Sequence, residues 1–178
     1  ATAGAEPKGI LSSIILPPET EEQDLRRIMS ELEQACDELQ IEILGGHTEV
    51  SDAVNRPVIT VTGVGKVARS DLLSTGGMRP GDELVMTKWA GLEGSAIIAA
   101  EKRDVLEQTL PAHLIDTAES FLKHISVVPE AKIAMQHGVH AMHDVTEGGI
   151  FGALWEMGAA SGVGIVADLD KIPIRQET

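Results

Sequence analysis

Seven consecutive residues, 143–149, combine side chains and a backbone suited to binding phosphate and a cation. They read His-Asp-Val-Thr-Glu-Gly-Gly and lie between a predicted strand and a predicted helix. Asp144 could hold a divalent cation, because hard cations prefer carboxylate oxygen. The free N–H groups at the start of the helix could bind a phosphate. Glycines in the first turn cost about 1 kcal/mol each relative to alanine, and close approach of a ligand is one reason to keep them.

An ordinary capping turn is the alternative interpretation of this segment. Asp144 or Thr146 could cap the helix by accepting a hydrogen bond from one of its free N–H groups. That interpretation explains these two residues. It does not explain His143 or the glycine pair, so the sequence leaves both interpretations open.

A second glycine pair opens residues 45–49, which read Gly-Gly-His-Thr-Glu and follow a predicted short strand at 41–44. Paired glycines let backbone N–H groups approach a ligand closely. The next three side chains offer a ring nitrogen, a hydroxyl and a carboxylate. A plain turn at the strand end, with polar side chains facing water, explains an isolated segment of this type equally simply.

Three other candidate sites fail on inspection. Residues 63–68 fit a loose dinucleotide-binding pattern, but no helix is predicted to open there. Residues 91–95 lack the Gly-Lys-Ser/Thr ending of a phosphate-binding P-loop, so a simple helix start is favoured over substrate contact. His137, His140 and His143 are three residues apart, and along a strand that spacing points side chains to opposite faces. A zinc site is therefore not expected.

Hydrophobic periodicity predicts an α/β chain in two parts. In the first part we predict strands at 10–16, 41–44 and 57–67 and an amphipathic helix at 19–40. Residues 71–82 are rich in Gly, Ser and Pro and are predicted to link a domain at 1–70 to one at 83–178. The second part is predicted to hold strands at 83–87, 139–142 and 164–167, helices at 94–103, 129–137 and 148–161, and two short helices within 104–124.

Composition limits the classes of function. The formal net charge is −14, which argues against a broad nucleic-acid-binding face, because such faces need many Lys and Arg contacts to phosphate. No apolar run approaches the roughly 20 residues of a membrane span. The single cysteine, Cys36, excludes an internal disulfide, which is typical of a cytoplasmic protein. Aromatic residues make up only 2%, so the core must be aliphatic.

The polar segments, taken in order, resemble the AIR synthetase (PurM-like) superfamily. Its members include AIR synthetase, selenophosphate synthetase, thiamine-monophosphate kinase and the hydrogenase-maturation carbamoyl dehydratase, and the last branch is the nearest. The ends of the chain, 4–7 and 172–178, fit the same pattern. The segments that carry the resemblance are 45–49, 61–65, 80–84 and 143–149.

The resemblance implies a two-domain α/β (α+β) architecture whose first domain dimerises through its sheet. It implies ATP bound between the domains, Mg²⁺ held by Asp side chains, and transfer of a phosphoryl group to an amide-type oxygen of a small or protein-borne carbamoyl-type substrate. A small-molecule kinase and a non-catalytic scaffold are the alternatives. The resemblance also implies further segments before residue 1 and after residue 178, so both domains are expected to be truncated and the chain alone inactive.

Individual roles follow from the same resemblance. His47 stands where most relatives have Asp or Glu, which leaves a phosphate-positioning role open for it. The implied catalytic residues are His47, His143 and Glu147, the implied metal ligand is Asp144, and the implied nucleotide-binding residues are Gly45, Gly46, Thr48, Glu49, Thr146, Gly148 and Gly149.

Overall fold

The computed structural model describes all 178 residues, and these form two compact units, residues 3–72 and 73–178. The first unit contains a three-stranded sheet and one long helix. The second contains the remaining helices. The chain is therefore a mixed α/β protein, as predicted.

The sheet of the first unit is built around its first strand. Strand β1 (Glu6–Leu16) is followed by helix α1 (Glu22–Leu39), strand β2 (Glu42–Val50) and strand β3 (Val58–Lys66). The strand order is β2-β1-β3, with β1 parallel to β2 and antiparallel to β3. Parallel neighbours need a crossover connection, and α1 supplies it.

The central strand buries alternate residues, as the two-residue repeat of a strand requires. Ile10, Ser12, Ile14 and Leu16 are all buried, and Ile14 is only 1% exposed. Helix α1 buries Cys36. Its C-cap residue, Gln40, has a left-handed backbone, and the Gln40 N–H donates to carbonyl oxygens of the last turn. Every residue of β3 is exposed. The alternating β-branched residues of this strand predict two differently buried faces, but no other element of the unit covers either face.

The second unit packs short helices around a small aliphatic core. Its elements are helices α2 (Leu92–Glu101), α3 (Arg103–Leu106), α4 (Ala112–Ser120), α5 (Val128–Gln136) and α6 (Gly149–Ser161), with 3-10 turns at Phe121–His124 and Leu169–Lys171. Ala99, Ile115 and Ala118 form the core, with Leu106 packed against it. The predicted helices are confirmed, with ends shifted by a few residues.

The three strands predicted in the second unit are wrong. Residues 83–87, 139–142 and 164–167 form no ladder with any other segment of the chain. A strand needs a partner backbone for its N–H and C=O groups, and the aliphatic pattern of a segment does not supply one. Val85 and Val166 are accordingly 85% and 98% exposed.

Residues 74–78 are fastened to the end of α6. The N–H of Met78 donates to the Ser161 hydroxyl at 3.1 Å, and that hydroxyl donates to the Thr75 carbonyl. Gly77 lies so close to His140 that an added Cβ would be 2.0 Å from the His140 carbonyl oxygen. These contacts bring residues 74–78 beside the segment that leads into residues 143–149.

Candidate functional site

The first glycine pair lies inside β2, not at a turn after a short strand. The predicted strand at 41–44 continues to Val50, so the prediction of a turn at Gly45 and Gly46 is wrong. The physical reason is the pairing with β1, in which Ser12 is the partner of Gly46 after a register shift between Ile10 and Leu11. A Cβ added at Gly46 would lie 1.9 Å from the Ser12 carbonyl oxygen, so the close approach of the two strands requires glycine there.

His47 and Glu49 form a polar pair on one face of β2. Positions two apart in a strand share a face. The Nε2 atom of His47 lies 3.2 Å from a Glu49 carboxylate oxygen, and both side chains are more than half exposed. Thr48, between them, belongs to the opposite face. This arrangement offers solvent an imidazole and a carboxylate in one place.

The second glycine pair opens helix α6 as predicted, although by backbone conformation alone. Gly148 and Gly149 both have left-handed backbones, with φ of 79° and 60°, which glycine adopts at least cost. Gly148 is the N-cap residue and no side chain caps the helix, so the alternative interpretation, in which Asp144 or Thr146 caps it, is wrong. The turn is instead closed by the Gly149 N–H, which donates to the Thr146 carbonyl at 3.1 Å.

Because no side chain caps α6 and the Gly149 N–H is used in the turn, the N–H groups of Ile150 and Phe151 are the ones that remain open to a ligand. An added Cβ at Gly149 would meet no atom within 4 Å, so the approach is clear. Asp144, Thr146 and Glu147 are all exposed. A phosphate at this end of the helix could therefore meet a hydroxyl and carboxylates within the same short segment.

His143 is held by a residue that the sequence did not single out. Its Nε2 atom lies 2.8 Å from a Glu156 carboxylate oxygen, and its Nδ1 atom contacts the Asp144 carbonyl. The hydrogen bond with Glu156 raises the pKa of His143. Burial of the ring opposes this effect, but the pKa is raised overall. Glu156 lies 13 residues along the chain, a spacing that no local motif would single out.

Neither unit assembles a complete metal site. No three His, Cys, Asp or Glu side chains are grouped so that they could hold a metal ion. Asp144 by itself fits Mg²⁺, because that ion is usually held by one or two carboxylates together with waters and substrate phosphates. The histidines considered for zinc do not form a metal-binding group. His140 contacts Asp82, whereas His143 contacts Glu156.

The predicted site residues are therefore divided between the units. The first unit brings His47 and Glu49 together beside Gly45, Gly46 and Thr48. The second brings Asp144, Thr146 and Glu147 to the opening of α6 at Gly148 and Gly149, with His143 behind them.

Comparison with known protein families follows this division into two parts. Residues 1–67 match the family described as AIR synthase related protein, N-terminal domain. Residues 79–178 match AIR synthase related protein, C-terminal domain. The chain belongs to the AIR synthase related family. The family predicted from the polar segments is thus confirmed.

Several curated members of the AIR synthase related family are similar over nearly the whole chain. A hydrogenase expression/formation protein of Methanocaldococcus jannaschii is 29% identical over 99% of the chain, and carbamoyl dehydratase HypE of Cupriavidus necator is 35% identical over 98%. Selenide, water dikinase of Myxococcus xanthus is 32% identical over 98%. The chain spans 50%, 48% and 47% of these proteins, so it covers about half the length of the relatives it matches.

Solved structures show the same fold. The chain matches HypE in a HypE–HypF complex with a TM-score of 0.81 at 24% identity, covering 99% of this chain and 56% of that one. It matches HypE in complex with ATP with a TM-score of 0.69 at 21% identity, covering 90% and 46%. No helix of this family member is both long and apolar enough to cross a membrane.

Proposed function

We propose that this chain is the nucleotide-handling part of an ATP-dependent enzyme of the hydrogenase-maturation type. The enzyme would use Mg-ATP to phosphorylate an amide-type oxygen of a carbamoyl-type substrate, either free or carried by a protein. The observation that carries the proposal is the start of α6, where two left-handed glycines leave the first turn uncapped beside Asp144. The 35% identity to a carbamoyl dehydratase supports the type of reaction.

Binding of the triphosphate is assigned to the α6 opening. Backbone N–H groups at a helix N-terminus, together with the helix dipole, favour a phosphate. Gly148 and Gly149 let the phosphate approach, and the Thr146 hydroxyl could donate to it. Asp144 is the proposed Mg²⁺ ligand. A relative solved with ATP bound supports the choice of nucleotide.

The first unit would contribute the strand segment to the same reaction. We assign Gly45, Gly46, Thr48 and Glu49 to nucleotide binding and His47 to positioning of a phosphate. His47 lies beside the Glu49 carboxylate on the exposed face of β2, where its ring could donate a hydrogen bond to a phosphate.

The proposed reaction needs no covalent nucleophile on the protein. Mg-ATP supplies the phosphoryl group and makes an amide oxygen a good leaving group as phosphate. Catalysis of such a transfer is mostly positioning and neutralisation of charge. We assign Glu147, exposed at the α6 opening, to accepting a proton from the substrate amide, and we assign to His143, predicted to be catalytic, the further role of holding the segment in position.

The proposal also includes the oligomeric state, the partners and the cellular location. We assign dimerisation to the sheet of the first unit, because Val58, Ile59, Val61 and Val64 of β3 are each about 40–50% exposed. The net charge of −14 makes nucleic acid an unsuitable partner. We place the protein in the cytoplasm.

A kinase of the selenophosphate synthetase type is the second candidate, and the 32% identity to a selenide, water dikinase favours it. It would use the same nucleotide site with a different acceptor. A scaffold that kept the fold and lost the chemistry is the third. The acceptor distinguishes the first two, whereas nucleotide binding distinguishes both from the scaffold.

Calorimetric titration of the full-length protein with ATP, with and without Mg²⁺, tests the proposal. We expect Mg²⁺-dependent binding that Asp144→Asn weakens by at least tenfold, the effect of removing one charged ligand. Asp104→Asn is the matched control, because Asp104 lies in α3 and its substitution changes the net charge equally. Absence of nucleotide binding by the unsubstituted protein would favour the scaffold. Equal binding by the Asp144 variant would remove the assigned metal role.

A further inference from the structure

Glu156 reaches back from the middle of α6 to the segment that precedes the same helix. It lies seven residues after Gly149, about two helical turns. Its carboxylate lies 2.8 Å from the Nε2 atom of His143, whose side chain is only 15% exposed. This contact therefore joins the start of the 143–149 loop to the helix that follows the loop.

The His143 imidazole also contacts the backbone. The Nδ1 atom of His143 lies 2.5 Å from the Asp144 carbonyl oxygen, so the ring sits between a carboxylate and a peptide group. A fixed ring fixes the orientation of the Asp144 carbonyl and so restrains the backbone that carries the Asp144 side chain. The effect of Glu156 thus passes through His143 to the next residue.

The loop needs such a support. Residues 144–148 are all exposed, and the two residues that end the loop are glycines, which have the greatest backbone freedom. No side chain caps the helix that follows. The bond from the Gly149 N–H to the Thr146 carbonyl fixes the last turn only. At the His143 end, the contacts of the ring with Glu156 and with the Asp144 carbonyl hold the loop.

We propose that Glu156 is a positioning residue, which holds the 143–149 loop in its observed conformation through His143 and so presents Asp144 and the open α6 turn to a ligand. The consequence for catalysis rests on the function proposed above. The positioning itself does not depend on that function, because it is a property of the loop in the free protein.

Backbone ¹⁵N relaxation of residues 144–149, measured in the free chain, tests the positioning. In the unsubstituted chain we expect order parameters near the rigid value of about 0.85, and in Glu156→Ala a fall toward about 0.6 or below. Glu156→Gln should retain much of the order, because its amide oxygen still accepts a bond from His143. Glu101→Ala, at the end of α2, is the control and should change nothing at the loop.

A double variant and a ligand titration complete the test. If Glu156 acts through His143, adding Glu156→Ala to His143→Ala should lower the loop order no further than His143→Ala does. In the full-length protein, Glu156→Ala should weaken Mg-ATP binding about tenfold and Glu156→Gln by less. Unchanged loop order in Glu156→Ala would overturn the positioning role. If the unsubstituted protein bound no Mg-ATP, the proposed function would fail while the relaxation result still decided the role of Glu156.

Discussion

The Nδ1 atom of His140 lies 2.9 Å from both carboxylate oxygens of Asp82. This pair joins the turn at 79–82 to the segment that runs into the 143–149 loop. The Arg79 N–H also donates to Asp82 at 2.8 Å. The bond from His140, followed by the bond from Arg79, holds the pKa of Asp82 below its usual value.

The Asp82 contact predicts a particular pH dependence of stability. A carboxylate whose folded pKa is lowered stabilises the fold above its unfolded pKa of about 3.9, and this contribution is lost as the pH falls through the folded pKa. Asp82→Asn should therefore lower the Tm at pH 7, and its difference from the unsubstituted chain should shrink below about pH 4. Thermal melts followed by circular dichroism across this range would measure both effects. Asp170→Asn serves as the exposed control, and a difference that stayed constant with pH would contradict the prediction.

Lys88 is the second predicted site of stabilisation. Its Nζ atom lies 2.8 Å from a Glu130 carboxylate oxygen and donates to the Ser126 carbonyl, and both charged side chains are largely buried. Burial raises the pKa of Glu130, but the bond from Lys88, a backbone hydrogen bond and the Lys88 charge together outweigh it, so the pKa is lowered overall. Lys88→Ala should reduce the free energy of unfolding by about 2 kcal/mol at pH 7, because it leaves a partly buried carboxylate unpaired. The loss should diminish as the pH falls through the folded pKa of Glu130.

The backbone of Lys88 allows a sharper test. Its φ of 61° is left-handed, where side-chain-bearing residues are strained by about 1 kcal/mol. Lys88→Gly loses the same ion pair and relieves that strain, so it should be more stable than Lys88→Ala by about 1 kcal/mol. Urea denaturation of both variants, with Lys132→Ala as an exposed control on α5, would show the order. Equal stability of the two variants would contradict the strain argument.

Substitution of Gly46 tests whether glycine is needed there for strand packing or for ligand binding. Because its missing Cβ would lie 1.9 Å from a backbone oxygen of β1, Gly46→Ala should force the strands apart and destabilise the chain by about 3 kcal/mol or more. Gly63→Ala on β3 is the matched control, since an added Cβ there meets no atom within 4 Å. Chemical denaturation of the two variants without any ligand would measure the difference. If Gly46→Ala were as stable as the control, the glycine would have to be explained by a ligand instead.

The exposed face of β3 predicts the oligomeric state. Val61 is 48% exposed among other apolar residues of the strand, and a charge placed there would have to be desolvated in a dimer. Val61→Asp should convert the proposed dimer to a monomer, measured by light scattering after gel filtration. Val105→Asp, at a residue of α3 that is 61% exposed, should leave the dimer intact. A monomeric unsubstituted protein would contradict the proposed assembly.

Local signals predicted most elements. The three- and four-residue spacing of apolar residues predicted α1, the proline near residue 129 marked the start of α5, and the glycine pair at 148 and 149 marked the start of α6. These are properties of short segments, because a helix makes its hydrogen bonds within itself. The same reasoning failed for the strands of the second unit, because an aliphatic run does not specify a partner.

The sequence by itself determined the helices, the first strand, the acidic and polar composition of the candidate segments and, through their order, the family. The tertiary structure alone decided that Gly46 is needed for contact with Ser12, that a backbone turn and not a side chain opens α6, and that Glu156 holds His143. The reason is physical: the α6 turn depends on backbone conformation and not on a side chain, and the other two contacts join residues whose separation along the chain, 34 and 13, matches no local motif. Only folding brings their atoms within bonding distance.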